Sequence, residues 1–198
     1  MKRQVLGVVL CGGKSSRMGA DKALVEVRPG VSQLERQLAL LETFCLKRAV
    51  SVGPQGGPQR SVPLGVAEIY DVEGVRGPMA GLIAALKEAD GWPVLAIACD
   101  MPYLEVSQLL MLLSRRVPAL QATAFLAADG MPDPMCAVYE PAALAELERL
   151  AAEGKGSLRR FLQGPQVERL AVEDPLFLAS VNDPADLQAA RRRLGFEA

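Results

Sequence analysis

Two runs without a polar side chain, Val5-Leu6-Gly7-Val8-Val9-Leu10 and Val94-Leu95-Ala96-Ile97-Ala98, constrain this chain more than any other feature. A strand with one wet face alternates apolar and polar residues. A run that does not alternate must be covered on both faces, as central strands of a parallel sheet are covered by helices. Helical patterns fall between the strand-like segments. Ser32 and Glu35 fit a capping box, and Leu34, Leu38, Leu41 and Cys45 recur at helical spacing, which predicts a helix over 32–47. Further helices are predicted over 79–89 behind Pro78, 106–116, 141–152, 158–162 and 184–194, the last stopped by Gly195. Strands are predicted over 49–52, 66–70, 93–99, 122–127 and 135–139, with an edge strand over 167–172. Asp129-Gly130 reads as a turn and 54–63 as a loop. The alternation predicts an α/β fold: a single-domain, Rossmann-like three-layer sandwich over 1–198, with a mainly parallel sheet and helices on both faces. A length of 198 residues, half of them hydrophobic, suits one such core.

Composition removes several chemistries. There is no histidine, so His-dependent triads and His general bases are excluded. Cys11, Cys45, Cys99 and Cys136 form no C-x-x-C pair, which argues against zinc. In apolar surroundings they read as reduced core residues of a cytoplasmic protein. The net charge of −1 argues against nucleic acid as a partner, and the basic pairs Arg115-Arg116 and Arg159-Arg160 read as solvated helix ends. No signal peptide or membrane-spanning stretch is expected.

The first apolar run delivers a glycine-rich loop, Leu10-Cys11-Gly12-Gly13-Lys14-Ser15-Ser16-Arg17-Met18-Gly19-Ala20-Asp21-Lys22. Glycines let backbone N–H groups turn toward an anion, and Lys14, Arg17 and Lys22 would neutralise it. The anion this suits is a nucleotide polyphosphate. A Walker A loop is excluded, because the required earlier glycine is Val8; the dinucleotide fingerprint fails because Gly12 and Gly13 are adjacent. In an open α/β sheet, ligands bind beyond the carboxyl ends of the strands. The glycine loop, Asp71 and Asp100 all fall at such ends. Asp100, at the tip of a buried strand and before Met101-Pro102, is the candidate Mg²⁺ ligand, its alternative being a helix cap. Asp71 could accept from a base or ribose, or serve a turn. Arg76-Gly77-Pro78-Met79-Ala80-Gly81 places a helix start nearby, suited to an anion or to a tight turn. Asp183 reads as an N-cap before Pro184, and Asn182 is left to bind a metal or a second substrate.

These residues resemble the signature of the MobA-type nucleotidyltransferases, the molybdenum cofactor guanylyltransferases. Beyond 10–24, the matches are Gly77-Pro78-Met79-Ala80-Gly81, Cys99-Asp100-Met101-Pro102-Tyr103, Pro134-Met135-Cys136-Ala137-Val138-Tyr139 and Val181-Asn182-Asp183-Pro184-Ala185-Asp186-Leu187. The resemblance implies transfer of GMP from GTP to molybdenum-bound molybdopterin, with Mg²⁺ as cofactor and a molybdoenzyme or chaperone as recipient. It implies a nucleotide site of Leu10, Cys11, Gly12, Gly13, Lys22, Ser51, Asp71 and Asp100. Asp100 would be the metal ligand, Arg17, Lys22 and Asp100 the catalytic set, and Gly77, Pro78 and Asn182 acceptor contacts. Cys11 stands where Ala is usual, Asp133 where His is common and Asp183 where Thr is common; the last two bear on acceptor recognition. Alternatives are a related transferase using CTP or a sugar-phosphate acceptor, and a non-catalytic nucleotide-binding delivery protein.

Overall fold

Both apolar runs form neighbouring strands at the centre of one seven-stranded sheet, in a computed structural model that describes residues 2–11, 21–57 and 62–196. In chain order the elements are β1 (Arg3–Leu10), α1 (Gln33–Phe44), β2 (Cys45–Gly53), β3 (Ala67–Tyr70), α2 (Pro78–Glu88), β4 (Val94–Ala98) and α3 (Val106–Ser114). They continue with β5 (Ala122–Leu126), β6 (Pro132–Tyr139), α4 (Ala143–Ala152), α5 (Leu158–Leu162), β7 (Val167–Leu170) and α6 (Pro184–Leu194). Short 3₁₀ turns occupy Lys22–Leu24 and Pro175–Leu178. The strand order is β3-β2-β1-β4-β6-β5-β7. All neighbours are parallel except at β6, which runs antiparallel to both β4 and β5. The sheet is therefore mainly parallel, as predicted, with β5 and β6 joined as a hairpin.

Strand pleating sorts the side chains onto two faces. Val5, Val9, Val50, Leu95, Ile97, Phe125 and Val138 pack with Leu34, Leu38 and Leu41 of α1 and Leu109 and Leu112 of α3. On the opposite face, Leu6, Val8, Ala49, Ala96, Ala122, Ala124 and Ala137 meet Met79, Leu82, Ile83 and Leu86 of α2, Leu147 of α4 and Phe161 of α5. Small strand residues on this second face leave room for the large residues of α2, an alternation of size that fills a core without voids. A third cluster ties α6 to the segment after the glycine loop: Val27 packs with Val181, Ala190, Leu187 and Phe196, and the Arg191 guanidinium donates to the Glu26 carbonyl at 2.7 Å.

Several ends differ from the sequence reading. The capping box at Ser32 and Glu35 forms, but α1 stops at Phe44 rather than 47, and β2 starts at Cys45 rather than 49. Parallel pairing with β1 claims that backbone (Arg3↔Cys45, Leu6↔Lys47, Gly7↔Arg48), and a non-local ladder overrides local periodicity. Gly7 permits the approach: a Cβ there would lie 2.8 Å from Cys45 Sγ and 3.1 Å from Leu41. β6 begins at Pro132 rather than 135, because Leu126↔Pro132 pairing extends the hairpin past a register shift. α3 ends at Ser114 rather than 116; Arg116 instead turns to pair with Glu140. No helix among the described residues is long and apolar enough to cross a membrane.

Candidate active site

Strand order reverses between β1 and β4: from β1 the chain goes to β2 and β3 on one side, then returns to lay β4 on the other. A crevice opens at the carboxyl ends of two strands that diverge this way. Leu10 pairs with Ser51 on one side and Ala98 on the other, so Cys11, Ser51 and Cys99 form the floor of that edge. The Cys11 N–H donates to the Ser51 carbonyl at 3.1 Å and the Cys99 N–H to the Leu10 carbonyl at 3.3 Å. All four cysteines are free and buried. Cys99 shares a hydrogen bond with the Cys11 thiol, and this contact and burial push its own thiol well above the usual range. Gly12, Gly13 and Arg17, with Lys14, lie outside the described residues.

Three side chains distant in sequence meet over this edge. Lys22 Nζ donates to Asp100 Oδ2 at 2.9 Å and to Asn182 Oδ1 at 2.6 Å. The Lys22 and Asp100 side chains are mostly buried, 22% and 16% exposed. Each is held from behind. Asp21 caps the 3₁₀ turn that carries Lys22, accepting from the Ala23 N–H at 3.1 Å, and Ala23 is fully buried. Asp100 leaves β4, and its carbonyl accepts from the Val181 N–H at 2.9 Å, which fastens the strand end to the segment before α6. Two α1 side chains grip the next turn: Gln37 Nε2 donates to the Met101 carbonyl at 2.8 Å, and the Arg36 guanidinium to the carbonyls of Met101 and Leu104. Burial lowers the Arg36 pKa while Glu105 opposes the shift. The Asn182 N–H donates to Asp186 Oδ2 at 2.8 Å, and Asp183 caps α6 by accepting from the Asp186 N–H at 2.9 Å.

A second cluster sits over β2 and β3. The Asp71 N–H donates to the Gly53 carbonyl at 2.9 Å, while its carboxylate accepts from the Ser51 hydroxyl. Burial pushes the Asp71 carboxyl up, and the Ser51 bond partly offsets this. Gly81 of α2 lies directly behind the pair: a Cβ there would be 2.3 Å from Ser51 Oγ and 3.1 Å from Asp71 Oδ1. The absence of a side chain at Gly81 thus lets α2 approach the strand ends. Gly77, at φ 72°, and Pro78 head that helix. The expected acceptor positions therefore fall on different elements: Gly77 and Pro78 at the start of the helix that carries Gly81, and Asn182 with Lys22 and Asp100.

The antiparallel register of β4 and β6, Ile97↔Cys136, brings Asp133 to the same edge as Asp100. Asp133 is 9% exposed, and Oδ1 accepts from the Met135 N–H at 2.7 Å. Burial raises its carboxyl pKa, and the field of Asp100 adds to the effect. The positioning side chains Arg36 and Gln37 escaped sequence reasoning. Their signal was a polar residue inside the buried stripe of a helix, Gln37 beside Leu34, Leu38 and Leu41.

The donor set suits a hard cation. Asp100 and Asn182 present oxygen, and their convergence on an ammonium shows that they accept positive charge. Among the described residues no three His, Cys, Asp or Glu gather into a closed metal cage. An ion here would be completed by substrate phosphates and water, which is the habit of Mg²⁺ rather than of a structural metal.

Comparison with known proteins agrees with this geometry. Residues 7–171 match the model of the MobA-like NTP transferase domain. The chain is 32% identical over 184 residues to a molybdenum cofactor biosynthesis bifunctional protein of Synechocystis, covering 91% of this chain and 52% of that one, so it spans about half that relative's length. It is 32% identical over 197 residues to a probable molybdenum cofactor guanylyltransferase of Opitutus terrae, covering 94% of this chain and 95% of that one. The fold superposes on molybdopterin-guanine dinucleotide biosynthesis protein A from Archaeoglobus fulgidus with a TM-score of 0.77 at 23% identity, over 98% of this chain and 100% of that one. The chain belongs to the MobA-like NTP transferase family and is a nucleotidyltransferase.

Proposed function

We propose that this chain transfers GMP from GTP to molybdenum-bound molybdopterin and releases pyrophosphate, in the cytoplasm. The observation that carries the reading is the meeting of Lys22, Asp100 and Asn182 beside the β1–β4 crevice. The guanylyltransferase names of the relatives and the free, buried cysteines agree with it.

GTP lies along the loop after β1, with Leu10, Cys11, Gly12 and Gly13 offering backbone groups to it. Ser51 orients Asp71, whose carboxylate accepts from the N1–H and 2-amino donors of guanine. Cytosine lacks that pair of neighbouring donors, so the contact favours GTP. Asp100, with Asn182, would hold Mg²⁺, and Lys22 and Arg17 are the cations assigned to the phosphates. Bound Mg²⁺ supplies charge neutralisation for the triphosphate. The terminal phosphate of the acceptor attacks the α-phosphorus, a P–O bond forms there, and the bond to the β-phosphate breaks. That nucleophile is already ionised at neutral pH. No general base is required, in keeping with a chain that has no histidine. The protein's work is positioning and charge stabilisation, with Lys22 and Arg17 meeting the charge that builds on the leaving oxygens. Gly77 and Pro78 contact the acceptor, while Asn182, which the resemblance also gives to the acceptor, serves the metal in this reading; a molybdoenzyme or its chaperone takes the product.

The test is pyrophosphate release from the protein, Mg²⁺ and molybdenum-loaded molybdopterin with GTP or CTP. GTP should support turnover and CTP should not. Asp100→Ala should lose at least ~100-fold in rate, the scale of one electrostatic stabiliser. Turnover with CTP alone would establish the cytidylyl alternative. Near-normal rates in Asp100→Ala would remove Asp100 from the mechanism.

A further inference from the structure

We propose that Lys22 and the divalent cation compete for the same two oxygens, so that the site accepts metal as its nucleotide complex and rejects the bare ion. This rests on the reading above, in which Asp100 and Asn182 are the metal's protein ligands.

The geometry is a cation site with an ammonium in it. Nζ lies 2.9 Å from Asp100 Oδ2 and 2.6 Å from Asn182 Oδ1. The two oxygens converge because backbone anchors hold them: Val181 on the Asp100 carbonyl, Gln37 on the Met101 carbonyl, Asp186 on the Asn182 N–H. The Lys22 main chain is equally fixed, by the Asp21 cap and buried Ala23. The ammonium itself sits at the end of a four-carbon stem.

A hard divalent ion binds oxygen at roughly 2.1 Å. Bound to Asp100 Oδ2 and Asn182 Oδ1, it would occupy the space between oxygens that the ammonium already contacts. Lysine and the ion cannot share it. The charge balance sets the order of events. Lys22 carries +1, Asp100 −1 and Asn182 none, so the triad is formally neutral. A bare divalent ion would add two positive charges to these three side chains and compete with the ammonium for both oxygens. A metal–triphosphate complex brings the anionic oxygens to which that ammonium can swing. The same residue that would serve the phosphates therefore guards the metal position until they arrive. Lys22 thus sets specificity for the metal–nucleotide complex over free metal.

Lys22→Met keeps the stem and removes the charge. Mn²⁺ serves as a paramagnetic probe, its binding followed by electron paramagnetic resonance without nucleotide. Lys22→Met should bind Mn²⁺ at least ~10-fold more tightly than the unaltered protein, the scale of removing one unit charge from beside a divalent ion. Adding Asp100→Asn to that variant should abolish the gain. With GTP present the order should reverse, Lys22→Met holding Mn²⁺–GTP more weakly than wild type. Lys22→Gln is the second variant, should Lys22→Met fail to fold, and it should move in the same direction. Equal free-Mn²⁺ affinity in wild type and variant overturns the competition. If wild type nevertheless takes Mn²⁺–GTP in an Asp100-dependent way, the metal reading survives that result. If Asp100→Asn changes Mn²⁺ binding neither with nor without GTP, the metal reading fails, and the competition fails with it.

Discussion

Replacing Gly81 by alanine should destabilise the protein, although Gly→Ala inside a helix ordinarily stabilises by about 1 kcal/mol. Gly81 lies in the first turns of α2, where the backbone is helical and alanine should be preferred. The site leaves no room for it. The new methyl would stand 2.3 Å from Ser51 Oγ, 3.3 Å from Ser51 Cβ and 3.1 Å from Asp71 Oδ1. Ser51 is 2% exposed on β2, which is paired in parallel on both sides, and its hydroxyl is committed to Asp71. Neither neighbour is the free end of a flexible chain, so the helix must shift or the Ser51–Asp71 bond must break. Overpacking of this kind costs about 1–3 kcal/mol. Set against the helix-propensity gain, the net loss is roughly 0–2 kcal/mol, centred near 1. With a urea m-value of about 2 kcal/mol/M, the midpoint should fall by about 0.5 M. Ser51→Ala removes the nearest atom, so Gly81→Ala in that background should be neutral or stabilising. The double-mutant cycle should return a coupling on the order of 1–2 kcal/mol. Stabilisation of Gly81→Ala by a full helix-propensity increment, with the m-value unchanged, would refute the described packing. GTP affinity should fall with Gly81→Ala if Asp71 reads the base, a separate measurement on the same variant.

Arg116 and Glu140 form a two-pronged pair whose carboxylate is 2% exposed, so Arg116→Ala should leave a buried charge stranded and cost ~3 kcal/mol in urea unfolding. A loss below ~1 kcal/mol would mean that water reaches Glu140. Burial raises the Asp133 pKa, so the folded state holds this proton more tightly than the unfolded chain. Its contribution is most favourable below the ordinary carboxylate range and is lost as pH rises through the raised value. Asp133→Asn retains an oxygen for the Met135 N–H, so it should raise the Tm at pH 7.5 by more than at pH 4.5; an equal shift at both would refute the assignment.

Local signals marked what they could. Both ends of α6 carry their own chemistry, Asp183 with Pro184 at the start and Gly195 in the left-handed conformation at the end, and the helix spans the predicted Pro184–Leu194. α5 also keeps its predicted bounds of 158–162, with Ser157 found to cap it. The end of α1 was not legible, because Cys45 continues the helical stripe and only pairing with β1 turns it into strand. At the site, Asp100 stood out as a carboxylate closing an apolar run. The bond from Lys22 to Asn182 spans 160 positions and leaves no trace in any window of sequence. Ser51 was legible as a strand end, but not that its hydroxyl turns to Asp71 beneath α2. Arg17, Gly12 and Gly13 lie outside the described residues.

Helix α1 passes into β2 with no residue between them, Phe44 ending one and Cys45 beginning the other. Most such connections carry a few residues of slack. Here an inserted residue would either turn the helix's apolar stripe by about 100° or exchange the two faces of the following strand. Length variation is therefore barred at this junction and must be absorbed elsewhere. The distance from the Ser32 cap to Ser51 near the end of β2 becomes a fixed ruler, and the Ser51–Asp71 corner of the crevice inherits its position from it.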